Sequence, residues 1–150
     1  MRATVLAVLV SVLLASPSFA ADGVVSLRSS YDVKTTADRL EKILQEKGMT
    51  VFIRIDHAKA ASKVGKDLRP TELIIFGNPK VGTSLMLCSQ TAGIDLPLKA
   101  LIWQDQIGQV WLSYNDPNYL VWRHHMKGCQ EVINKITSAL QNFATAAASP

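Results

Sequence analysis

Residues 71–86 read TELIIFGNPKVGTSLM. Leu73 to Phe76 is a continuous apolar run bounded by turn residues, the pattern of a central strand buried on both faces. Asn78 stands where a helix N-cap belongs, and Pro79 suits the first helical position because its missing N–H would have no partner there anyway. Gly77 and Gly82 lie five residues apart, the glycine spacing of the phosphate loop G-x-x-x-x-G-K-[ST], and Ser84 fits its last position. Thr83 replaces the lysine that reaches the terminal phosphates, so nucleotide hydrolysis by that mechanism is excluded. Two readings stay open: a turn and cap between strand and helix, or a loop holding a small anion on free helix N–H groups.

Outward from this junction the chain alternates short strands and helices. Val24–Arg28 reads as a strand. Asp32 offers an N-cap to a helix carrying Val33, Ala37, Leu40 and Leu44 at helical spacing, with Gly48 as its stop. Met49, Val51, Ile53 and Ile55 alternate with polar residues and Phe52, which predicts a half-buried strand with those four on one side. Residues 57–66 are small, basic and weakly helical. Residues 97–103 and 109–114 flank a Gly108 turn and form a predicted hairpin. Asp116-Pro117 opens a helical stretch to about Lys127. The last helix shows Ile133, Ile136, Leu140 and Phe143 on one face as a core stripe, and residues 144–150 read as a frayed tail. This order predicts an α+β fold, strand–helix–multi-stranded sheet–helix, rather than strict βαβ alternation.

The first twenty of the 150 residues are expected to be a signal peptide: Arg2, an apolar stretch from Ala3 to Ala15, and Ser18-Phe19-Ala20 as a cleavage site. One domain would then occupy residues 21–150, exported to the periplasm or outside the cell, with no stable membrane insertion after cleavage. The formal charge is +4, and +3 without Arg2. That mild excess falls short of the clustered basic surface that nucleic-acid binding needs. Cys88 and Cys129, the only cysteines, are either a disulfide in an oxidising compartment or two buried apolar thiols.

Several blocks together carry a family likeness. Ile55-Asp56-His57, Leu68-Arg69-Pro70-Thr71-Glu72-Leu73, Phe76-Gly77-Asn78-Pro79, Gly82-Thr83, Leu85-Met86 and Asp95-Leu96-Pro97-Leu98 resemble the domain-of-unknown-function 302 family. Residues 108–114, Asp116-Pro117 and Arg123-His124 extend the match over nearly all of residues 21–150. The resemblance implies an α+β fold related to the TATA-box-binding-protein architecture. It implies no biochemical activity, and a shared architecture does not carry DNA binding with it.

No nucleophile elbow, paired-carboxylate signature or metal-ligand spacing is present; His124 and His125 are adjacent and diverge around a helix. Polar residues do gather at element ends. His57, Asn78, Thr83, Asp95 and Arg123 are the candidates for lining one ligand site. Each also has a structural reading: Asp56-His57 as a capping turn, Asp95 as a turn residue, Arg123 in an internal ion pair. Trp103 and Trp111 either present a ligand or partner surface or lie under helices. The sequence thus leads to a non-catalytic domain that binds a small ligand or an envelope partner, with no cofactor indicated. The alternatives are a hydrolase or lyase using His57 with Asp56 or Asp95, and a metal or redox accessory protein using Cys88, Cys129 and the histidines.

Overall fold

The computed structural model describes residues 23–150; the expected signal peptide lies outside the described residues. The elements are β1 (Val24–Arg28), α1 (Val33–Glu46), β2 (Thr50–Asp56), α2 (His57–Ser62), β3 (Thr71–Gly77), α3 (Pro79–Cys88), a 3₁₀ turn (Gln90–Ile94), β4 (Leu98–Gln104), β5 (Val110–Asn115), α4 (Pro117–Arg123) and α5 (Gln130–Ala148). The strands make one antiparallel sheet in the order β1-β5-β4-β3-β2. The meander β2-β3-β4-β5 builds four of its positions. β1 closes the far edge, so α1 must cross the whole sheet between β1 and β2.

Local signals position α1. The Asp32 carboxylate accepts the Thr35 N–H, and Gly48, at φ +72°, takes the left-handed turn that ends the helix where other residues would be strained. Val33, Ala37, Leu40 and Leu44 are buried together against the sheet and against Ile133, Ile136 and Leu140 of α5. The sheet supplies Ile74 and Phe76, Ala100 and Ile102, and Val110, Leu112 and Tyr114 to this core, every second residue along three strands.

The structure corrects three sequence expectations. β3 is interior but buried on one face only: Ile74 and Phe76 are in the core, while Leu73 and Ile75 on the other side stay partly exposed. The register of β2 shifts between Val51 and Ile53, a bulge at Phe52. Val51 and Arg54 therefore share the core face and Ile53 and Ile55 the opposite one, because an inserted residue reverses the alternation after it. The tail does not fray either. α5 continues to Ala148, burying Ala144, Ala147 and Ala148, and Arg39 donates to the Ala146, Ala147 and Ser149 carbonyls.

Arg54 locks the edge strand to α1. Its guanidinium pairs with Glu72 of β3 and with Asp38 and Glu41 of α1. Burial works against its charge, but hydrogen bonds to Glu72 and Asp38 outweigh burial and push its pKa above the usual arginine value.

Candidate functional site

At the sheet end where β3 stops, α3 arches over a cavity of about 320 Å³. Its volume is within the range of small-molecule pockets. Gly77 forms part of the floor. A Cβ there would sit 3.5 Å from both the Phe52 ring and Pro97, so glycine leaves space that a side chain would take. Met49 just precedes β2 and Phe52 lies within it, Val81, Gly82, Thr83, Leu85 and Met86 come from α3, and Leu96 and Pro97 lead into β4, which starts at Leu98. Asn78 and Thr83 are the polar side chains in this lining; the rest is apolar.

The same junction settles the loop reading. Asn78 caps α3 by accepting the Lys80 N–H with its side-chain oxygen at 3.0 Å, and its backbone carbonyl accepts the Val81 and Gly82 N–H groups. Pro79 has no N–H. The first-turn donors of α3 are therefore occupied, and the loop is a capped turn rather than an anion cradle.

A second constellation lies beside the pocket. Asp95 follows the 3₁₀ turn, two residues from the pocket residues Gly93 and Pro97. Its Oδ2 lies 2.6 Å from His124 Nε2 and 3.4 Å from Arg123 Nε. The imidazole is nearly buried, and its Nδ1 is 3.0 Å from the Thr91 hydroxyl, itself 3.0 Å from that of Ser89. A carboxylate can only accept, so a neutral His124 donates from Nε2 to Asp95 and accepts the Thr91 O–H at Nδ1. Cys88 and Cys129 stand close by with their sulfurs within bonding distance and their Cα atoms 6.4 Å apart, joining the end of α3 to the start of α5.

Of the five residues expected to share a site, Asn78 and Thr83 line the cavity, and Asp95 and Arg123 pair with each other next to it. His57 is not brought there. It opens α2 after β2, beside the start of β3, whereas Gly77 ends that strand. Seven residues of strand at about 3.3 Å each separate the two ends by roughly 20 Å. Asp56 caps α2 by accepting the Lys59 N–H, so neither Asp56 nor Asp95 is arranged as a partner for His57. The residues that sequence reasoning missed are His124 and Thr91, plus the apolar wall of Phe52, Met86 and Leu96. The spacing of Thr91 and Asp95 across one turn was visible, but nothing local connects them to His124, 29 positions beyond Asp95.

A family model described as "Domain of unknown function DUF302" matches residues 25–143. Over 104 residues the chain is 47% identical to "Fluoride-specific ion channel FluC 1" of Brucella suis biovar 1 (strain 1330), covering 69% of this chain and 41% of that protein. The identity is the same with "Fluoride-specific ion channel FluC 2" of Brucella melitensis biotype 1, with 38% of that protein covered. The chain thus spans about two-fifths of the length of the curated relatives it matches. The fold is similar to that in "Crystal structure of uncharacterized conserved protein DUF302 from Bacillus stearothermophilus", with a TM-score of 0.76 at 20% identity over 85% of this chain and 99% of the other.

Proposed function

The chain belongs to the DUF302 family, and from that premise we propose that it is an exported, non-catalytic binding domain that takes a small, mostly apolar ligand beneath α3. The cavity between α3, β2 and the approach to β4 carries this reading. Its apolar wall favours a ligand by removing hydrocarbon surface from water, and Asn78 and Thr83 supply polar groups to orient it. A hydrated anion such as fluoride suits it poorly, since the α3 donors are occupied and an apolar wall cannot replace a hydration shell. The names of the Brucella relatives therefore bear on the partner rather than on the ligand. No helix among the described residues is long and apolar enough to cross a membrane. We read the shared segment as a domain that works beside a membrane protein of the envelope.

The test is a thermal-shift screen of the purified protein against small apolar compounds, run beside Gly82→Leu. Gly82 lines the cavity, and a Cβ there would already lie in van der Waals contact with Leu96 at 3.9 Å, so the further carbons of a leucine would take up cavity space. A ligand at a hundred times its Kd should stabilise the parent by about 2.7 kcal/mol, and the filled variant should not respond. The reading is wrong if no compound raises the melting temperature, or if Gly82→Leu responds equally.

A second reading, hydrolysis, is favoured by the Thr91–His124–Asp95 geometry, which moves the enzymatic alternative away from His57. Thr91 would attack an ester carbonyl while its proton passes to His124 Nδ1; His124 gives that proton to the departing alcohol, then takes one from a water that attacks the Thr91 acyl ester, and returns it to Thr91 as the acid leaves. Ester turnover equal in the parent and Thr91→Val, or absent from both, would dismiss it.

A further inference from the structure

The sheet has a second face. Residues paired across strands point the same way, so this face carries Ile53 and Ile55 of β2, Leu73 and Ile75 of β3, Leu101 and Trp103 of β4 and Trp111 of β5, together with the polar Thr71, Lys99, Ser113 and Asn115 and, on the edge strand β1, Ser26 and Arg28. α1 and α5 pack on the opposite face, and these apolar side chains stay partly exposed, Ile53 at 50%. The indoles of Trp103 and Trp111 stack with ring centroids 6.5 Å apart.

Most polar groups on this face are already bonded inside the chain, and the exceptions, Arg28 and Asn115, are exposed at its β1–β5 margin. Trp103 Nε1 donates to Ser113 Oγ at 2.9 Å and Trp111 Nε1 to Asp105 Oδ2 at 2.8 Å. Ser113 also bonds Ser26 at 2.7 Å, and Lys99 Nζ donates to the Asp95 and Pro97 carbonyls. With the indole and serine donors satisfied internally, the middle of the face can be covered by an apolar surface without orphaning those atoms, while Arg28 and Asn115 keep their solvent at the rim.

We propose that this face is covered by a second copy of the chain, packed sheet on sheet about a two-fold axis. Two sheets of the same twist stack about 10 Å apart with their strands near −30°, so a twisted apolar sheet is a natural partner for itself. Area supports the same occupant. Five strands about 4.8 Å apart, each of about six residues, give a face of roughly 24 by 20 Å, so pairing two faces removes on the order of 1,000 Å² from water. That reaches the lower bound of a specific interface, and the paired tryptophans are the kind of aromatic anchor such interfaces use. The ligand pocket under α3 does not depend on this pairing.

Light scattering of the purified protein across about 1–100 µM tests it, with Ile53→Glu and Leu101→Glu alongside. The parent should have the mass of two chains. Each variant should weaken the dimer by about a hundredfold or more, because two carboxylates would be buried unpaired in an apolar contact. Ile53 is half exposed, so its variant should keep the parent's circular dichroism and melting profile even if Leu101→Glu misfolds. A parent of one-chain mass at every concentration overturns the proposal, as does a dimer mass unchanged in folded Ile53→Glu. A monomer that sediments with lipid vesicles overturns it too, and assigns the face to a bilayer.

Discussion

Asp105 organises the β4–β5 turn with one carboxylate: Oδ1 accepts the Ile107 and Gln109 N–H groups at 3.0 and 2.9 Å, and Oδ2 accepts the Trp111 indole N–H. The Trp111 hydrogen bond, followed by those from Gln109 and Ile107, lowers its pKa below the ordinary aspartate value. The sign follows from the linkage of protonation to folding. A depressed folded pKa contributes stability at pH values above the unfolded value of about 3.9, and that contribution disappears as pH falls through the lower folded value. Asp105→Asn should therefore be less stable than the parent at pH 6, with a gap that narrows below about pH 4. Urea midpoints across pH 3–6 check this, and a pH-independent gap would count against it. Residues whose work is local were legible. Asp32, Gly48, Asn78 and Pro79 do in the structure what their positions predicted, since capping needs partners only a few residues away. The His124–Asp95 pair was not legible, because it is made by folding α4 back onto the 3₁₀ turn.

Among the elements, α3 and α5 are joined by Cys88 and Cys129, 41 positions apart. A link across that interval restricts the unfolded chain, and the chain-entropy treatment assigns it about 4 kcal/mol. Replacing both cysteines by serine should lower the unfolding free energy by roughly that amount, and so should reductant on the parent. Two titratable thiols in the protein purified under oxidising conditions, with no loss in the double variant, would contradict the link. The hairpin of β4 and β5 and the helix α1 were readable because turn chemistry and periodicity act within a dozen residues. The β2 bulge was not, since a strand's register is decided jointly with its partner, here β3. The alanine-rich end of α5 read as fraying for a related reason. Small side chains give little local signal, and what holds this segment is Arg39 together with the Ser30 N–H donating to the Ala148 carbonyl.

At the scale of the whole molecule, one sheet separates three jobs. Its helix-covered face makes the core, its open face is proposed to meet a second copy, and its β3 exit end holds the pocket. The continuous apolar run of β3 predicted burial on both faces, whereas helices cover only one. A dimer through the open face would account for the second. The fold class was thus legible from the order of elements. The pocket was only half legible: FGNPKVGT located it, but its walls come from β2 and from Leu96–Leu98, distant in sequence. The most direct check on the central claim is a methyl-resolved NMR titration of the purified protein with an apolar hit from the thermal-shift screen. The account predicts saturable shifts at Thr83, Leu85, Met86 and Leu96, with Ile55 and Leu73 on the open sheet face unmoved. Shifts confined to Ile55 and Leu73, or no saturable shift at the pocket methyls, would contradict it.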